Sequence, residues 1–177
     1  MTDSELVNLA KENHVHFGIL YERHFETIFR FIFKRLGGDE ANTGDLTQQT
    51  FLKAMSSIDK YEDRGFPFCS WLYRIAQNEV NLFFRANKKD ISIEIEERQL
   101  NNLLEEANLG NYMSLEDQEK LMLQLNTLPQ DSIDLIELRF FQELSFKEIA
   151  DIYSVSESNA KMRIYRILEK MNKNWKV

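Results

Sequence analysis

Residues 144–170 read LSFKEIADIYSVSESNAKMRIYRILEK, and this stretch predicts two helices of about eight and fifteen residues joined by a tight turn near Tyr153 to Val155. Ser145 with Glu148 three residues later is a capping box that opens the first helix. Ser156 with Asn159 is a weaker N-cap signal for the second. Ile149, Ala150 and Ile152 line one helix, and Ile164, Ile167 and Leu168 anchor the other. These are helix-turn-helix proportions, with small Ala150 where the two helices cross. Ser156, Glu157, Ser158, Asn159, Lys161, Met162 and Arg163 then fall at the exposed leading end of the second helix, where base edges of a duplex are read, with Arg166 one turn on. From Ser156 to the last residue there are six basic and two acidic side chains. A solvated helix face also carries Lys and Arg; the turn and the capping box weigh for DNA.

Upstream of this pair, SLEDQEKLMLQLNTL and PQDSIDLIELRFF predict two more helices, the second opened by Pro129, whose missing N–H costs nothing in a first turn. Nearer the N-terminus, SELVNLAKEN predicts a short helix capped by Asp3 or Ser4. FGILYERHFETIFRFIFKRL has Phe17, Leu20, Tyr21, His24, Ile28, Phe31 and Ile32 on one helical face and Phe25, Phe29 and Phe33 on a second. A helix so apolar sits inside a bundle and ends at Gly37-Gly38. DLTQQTFLKAMSSI (45–58) predicts a helix with Leu46, Phe51, Leu52, Met55 and Ile58 inward. A polar loop (59–67) leads to FCSWLYRIAQNEVNLFFRANKK, a long amphipathic helix with Trp71, Leu72, Ile75, Val80, Leu82 and Phe83 or Phe84 as its apolar contacts and a basic end.

Between the two helical clusters the composition turns acidic, with nine acidic against four basic residues from Ala86 to Lys120. Its periodicity is weak and interrupted, so residues 91–113 read as a flexible acidic linker with a helical turn near Leu100 to Glu106. The expected organisation is all-α: a helical domain over 1–90, the linker, and a second helical domain over 114–177.

The chain has 177 residues, with six Gly and two Pro, too few for a many-turned β fold. Its net charge of −7 argues against an autonomous DNA binder, whose affinity rests on neutralising phosphates. Cys69 stands alone, which suits a reducing cytoplasm and reads as a small buried hydrophobe. Neither a secretory leader nor a membrane span is evident. His14 and His16 lie two apart without companion ligands, so surface or core imidazoles outweigh a metal site. No phosphate loop, nucleophile elbow or carboxylate pair on one face occurs; no catalytic residue, metal or cofactor is expected. The loop and helix from Asp59 to Lys89 interleave Tyr61, Phe66, Phe68, Trp71 and Tyr73 with Arg64, Arg74 and Arg85. Unstacked bases beside a phosphate backbone are held by such a mixture, although most of these rings also suit a core.

Taken together, these segments resemble the extracytoplasmic-function (group IV) sigma factors of bacterial RNA polymerase, which keep only regions two and four of the sigma family. DLTQQTFLKAM is similar to the family's Asp-Leu-x-Gln-Glu-x-Phe-Leu segment, and FPFCSWLYRIAQNEV to its Phe-x-x-Trp-Leu-x-x-Ile-Ala-x-Asn segment. LPQDSIDLIELRFFQELSFKEIADIYSVSESNAKMRIYR resembles region four. The resemblance implies that Asp45, Gln48, Gln49 and Phe51 meet the clamp helices of the polymerase β′ subunit, with the second domain on the β flap. It implies that Tyr61, Glu62, Asp63, Arg64, Trp71 and Asn78 hold the minus-ten element while Arg74, Arg85 and Lys88 follow its phosphates. Ser156, Ser158, Asn159, Lys161, Arg163 and Arg166 would meet the minus-thirty-five element. An anti-sigma factor, a cytoplasmic location without membrane insertion and a monomeric free state are further implications. Departures from the pattern are Gln49 for the usual Glu, Leu82 for a frequent Asp, only Lys88 and Lys89 instead of a longer Arg run, and Asn159-Ala160 for Thr-Val.

Two rival readings remain at this point. A stand-alone helix-turn-helix regulator would dimerise and bind duplex DNA without polymerase; a helical interaction module would leave the basic helix without a nucleic-acid role.

Overall fold

The computed structural model describes residues 1–87, 97–109 and 114–175. All regular structure among them is helical, and the chain divides into two compact units, Met1–Glu94 and Ile95–Val177.

The first unit is a bundle of α1 (Asp3–Glu12), α2 (Phe17–Arg35), α3 (Glu40–Ser56) and α4 (Phe68–Asn87). Thr2, rather than Asp3 or Ser4, caps α1, in a capping box with Glu5. Asp3 is engaged elsewhere: its carboxylate takes Arg23 at 2.6 Å and His24 Nε2 at 2.8 Å, tying α1 to α2. Down the centre of α2 run Leu20, Ile28, Phe31 and Ile32, all buried. The second stripe, Phe25, Phe29 and Phe33, is only half-buried and stacks along the helix, with ring centroids 5.7 and 6.0 Å apart. Gly37 and Gly38, both at positive φ, close α2 where the sequence places its stop.

Helix α3 begins at Glu40, capped by Asp39, well before the expected start at Asp45. Asn42, Thr43 and Gly44 are poor helix formers and break up the pattern after Glu40 and Ala41, which hides this turn in the sequence. Thr43, Thr47 and Thr50 are buried because each hydroxyl donates back to the carbonyl four residues earlier, at 2.6–2.7 Å, and only their methyls face the core. Two expected inward residues turn outward: Leu52 and Leu82 are each 52% exposed.

The second unit holds α5 (Glu97–Glu106), α6 (Leu115–Thr127), α7 (Gln130–Ile136, continued by a wider turn over Glu137–Phe141), α8 (Phe146–Tyr153) and α9 (Glu157–Trp175). Helix α5 corrects the linker reading of 91–113. Leu100, Leu103, Leu104 and Ala107 are buried, Gln99 Nε2 donates to the Phe141 carbonyl at 2.9 Å, and Asn172 Nδ2 reaches the Ala107 carbonyl at 2.8 Å. The three-and-four spacing of these apolar residues is diluted by polar neighbours, so the segment looks unstructured until α7 and α9 supply something to bury it against. Asn108, in the left-handed conformation, ends α5. Residues 88–96 and 110–113, the rest of the expected linker, lie outside the described residues.

The Ser145–Glu148 capping box is present, with Glu148 N–H to Ser145 Oγ at 3.2 Å and Ser145 N–H to the Glu148 carboxylate at 2.7 Å. Ser154 adopts left-handed dihedrals between α8 and α9, making the tight turn. Ile149, Ala150, Ile152, Ala160, Ile164 and Leu168 close the seam between the two helices.

Candidate nucleic-acid interface

On the first unit, the exposed side of α4 carries Arg74, Asn78, Leu82 and Arg85 at successive turns, with Trp71 half-buried at its start. The loop before α4 is anchored from below. Tyr61, 9% exposed, packs its ring against Phe68 and Trp71 at 5.3 and 5.0 Å, and its carbonyl accepts from Lys11 Nζ at 2.7 Å. Tyr61 is thus part of the core, and its predicted role as a base-holding ring is corrected to that of a floor. An aromatic flanked by charged loop residues reads equally well as either until its neighbours are placed. Glu62, Asp63 and Arg64 remain at the surface above it. Lys88 lies outside the described residues.

Asp63 organises this loop. Its carboxylate lies near the Ser4 hydroxyl and accepts from the Gly65 N–H at 2.8 Å, and these two neighbours hold its pKa below the usual aspartate value. Since the folded value is depressed, the anchoring is intact above the ordinary aspartate pKa and is lost as pH falls through the lower folded value. Asp63→Asn removes the charge that the Gly65 N–H and the Ser4 hydroxyl face, and is expected to speed tryptic cleavage after Arg64 in limited proteolysis at neutral pH. An unchanged rate would show that Tyr61 alone secures the loop.

Asp45, Gln48, Gln49 and Leu52 share one exposed face of α3, at the i, i+3, i+4, i+7 spacing. Phe51 does not join them. It is 3% exposed and packs edge-on to Phe17 and Tyr21, which corrects its predicted role at the polymerase surface: it anchors α3 to α2. The sequence reading missed Leu52 as a surface residue, because a leucine beside a phenylalanine is assigned to the core by default.

On the second unit, Ser156, Ser158, Lys161, Met162, Arg163 and Arg166 are exposed at the leading half of α9, and Asn159 is half-buried. Ser156 spends its hydroxyl on the Asn159 N–H at 3.2 Å, so it caps the helix first. Lys161 Nζ lies over two neighbouring rings, 5.9 Å from Phe146 and 5.8 Å from Tyr165. Arg139, from the turn after α7, also lies over the Phe146 ring, 4.6 Å from its centre. Neither Arg139 nor the two rings stand out in the sequence, since nothing local joins positions 139, 146, 161 and 165.

Among the described residues there is no group of three or more His, Cys, Asp or Glu placed to hold a metal, and no helix long and apolar enough to cross a membrane.

Residues 20–90 match the family model for Sigma-70 region 2, and residues 118–171 that for Sigma-70 region 4. The chain is 30% identical over 163 residues to the ECF RNA polymerase sigma factor BldN of Streptomyces coelicolor, covering 92% of this chain and 61% of BldN. It is 25% identical over 152 residues to the ECF RNA polymerase sigma factor SigM of Bacillus subtilis, covering 86% of this chain and 90% of SigM. The fold is similar to that of CnrH, solved in complex with the cytosolic domain of CnrY, with a TM-score of 0.59 at 22% identity over 95% of this chain and 93% of CnrH. A bundle and a helix-turn-helix unit, each matching its own sigma-70 region, together with relatives along most of the chain, make this protein a member of the extracytoplasmic-function sigma factors, which direct promoter-specific transcription initiation by RNA polymerase.

Proposed function

We propose that three surfaces divide this task. The α3 face of Asp45, Gln48, Gln49 and Leu52 docks on the β′ clamp helices of the core enzyme. The stripe Trp71, Arg74, Asn78, Arg85, with Glu62, Asp63 and Arg64 above the Tyr61 floor, takes the minus-ten element, and Lys88, three residues later in sequence than Arg85, joins it. The leading half of α9 takes the minus-thirty-five element in the major groove, with the second unit seated on the β flap. Residues 1–90 act as region two and residues 114–177 as region four, with α5 packed into the same compact unit as region four. The observation that carries this reading is the split character of α9. One face is sealed against α8 by Ala160, Ile164 and Leu168, and the other presents Lys161, Arg163 and Arg166 to solvent.

A net charge of −7 works against unaided DNA binding. Docking on polymerase supplies the missing affinity by making the second DNA contact effectively intramolecular. The same reading places the protein in the cytoplasm, monomeric when free, and regulated by an anti-sigma protein; the complex of CnrH with CnrY supports a protein partner of that kind.

The decisive experiment is in vitro transcription by core polymerase with and without this chain, on promoter fragments from its own genome. Discrete chain-dependent transcripts are expected. With Lys161 and Arg163 both replaced by Ala, transcripts are expected to fall roughly tenfold or more while core binding is unchanged, and the salt slope should lose about one unit for each phosphate contact removed. Silence with active core and no co-elution would overturn the proposal in favour of a stand-alone regulator.

A further inference from the structure

Helix α5 brings carboxylates into the neighbourhood where the second unit meets DNA. Glu106 Oε1 accepts from the Tyr165 hydroxyl of α9 at 3.3 Å, and Glu106 Oε2 lies 3.8 Å from Arg139 Nη2. Tyr165 and Phe146 are the two rings that Lys161 lies over, and Arg139 lies over Phe146. Carboxylate, phenol, ammonium and guanidinium thus form one connected cluster. Glu105 adds a second negative charge beside it, and both acids occupy the last turn of α5, which holds no basic residue. That placement runs against the helix's own preference, since the partial negative charge of a helix C-terminus favours cations there. Tertiary contacts with Arg139 and Tyr165 offset it. The helix that carries the acids is itself fixed, because Leu103 and Leu104 are buried and α5 is hydrogen-bonded to Phe141 and Asn172.

We propose that Glu106 is a built-in competitor of DNA phosphate: it occupies Arg139 and Tyr165 at the edge of the DNA-reading helix and lowers the affinity of the free chain for duplex DNA. The inference rests on α9 being the duplex-facing helix. An approaching phosphate must displace the carboxylate from Arg139 and approach Lys161 within the field of Glu105 and Glu106. At low ionic strength charges this close are poorly screened, so the opposition is strongest where unspecific binding is otherwise tightest. A contact with phosphate then becomes favourable chiefly when docking elsewhere raises its effective concentration. The consequence is a sigma factor discouraged from wandering onto DNA without polymerase, by a device inside the second unit itself.

The test is fluorescence anisotropy of the full-length chain with a labelled duplex of mixed sequence, over a series of salt concentrations. Glu106→Gln keeps the acceptor for Tyr165 and removes the charge; Glu119→Gln neutralises an exposed carboxylate on α6 and controls for net charge. Glu106→Gln is expected to bind roughly threefold or more tighter than the unaltered chain at low salt, with the gain shrinking as salt rises. A gain no larger than that of Glu119→Gln overturns the competitor while leaving the DNA face in place, provided that the Lys161→Ala, Arg163→Ala pair still weakens binding. If that pair binds as tightly as the unaltered chain, the DNA-facing reading of α9 fails and the competitor fails with it.

Discussion

Replacing Leu103 by Ala is expected to destabilise the second unit by about 2–5 kcal/mol, the cost of deleting a buried leucine side chain and leaving a cavity. For a unit of this size each kcal/mol lowers the midpoint by about 4–8 °C, so the shift is large. Leu103 is fully buried and sits with Leu100, Leu104 and Ala107 on the face of α5 turned toward the rest of the unit. A linker would respond differently, since truncating a side chain in an unstructured tether leaves stability within about 0.5 kcal/mol. The two tryptophans make the measurement unit-specific, with Trp71 on α4 and Trp175 at the end of α9. In a Trp71→Phe background, thermal unfolding followed by Trp175 fluorescence reports the second unit. A Leu103→Ala midpoint within a degree of the parent would show that α5 contributes nothing to that unit.

Leu52→Asp, combined with Gln48→Arg, is expected to weaken binding to core polymerase by roughly thirtyfold or more, the loss that accompanies removal of an interface anchor worth about 2 kcal/mol. The first unit should remain folded, because both side chains are at the surface and exposed substitutions cost little. Phe51→Ala makes the contrast. Its ring fills the space between α2 and α3, so about 3–5 kcal/mol of stability should be lost, and any loss of polymerase binding would follow from unfolding. Co-elution with core enzyme, read beside the thermal midpoint of each variant, separates the two cases. Full core binding by the Leu52, Gln48 variant would remove α3 from the polymerase surface.

These contrasts show where local pattern is sufficient and where it is not. Helices α2, α4, α8 and α9, the capping box at Ser145, the glycine stop after α2 and the basic leading end of α9 all depend on residues three or four apart, and the sequence displays such relations directly. Candidate site residues on strongly amphipathic helices are equally visible: Arg74, Asn78 and Arg85, or Lys161, Arg163 and Arg166, fall on the polar side of an unambiguous apolar stripe. Where two apolar residues stand side by side the stripe is ambiguous, and only the position of α2 decides that Phe51 turns in and Leu52 turns out. The first turn of α3 is hidden by Asn42, Thr43 and Gly44, three weak helix formers in a row, of which Thr43 is accommodated by donating its hydroxyl to the Asp39 carbonyl.

The helical class, the two clusters, the helix-turn-helix and the charge laid along α9 are legible in the residues alone, since each is written in short-range spacing and capping chemistry. Tertiary structure alone decided that Tyr61 is a floor, that α5 belongs to the second unit, and that Glu106 stands beside Arg139 and Tyr165. Those outcomes join residues tens of positions apart, and the free energy that selects them is the burial and pairing each side chain finds only when its distant partner arrives.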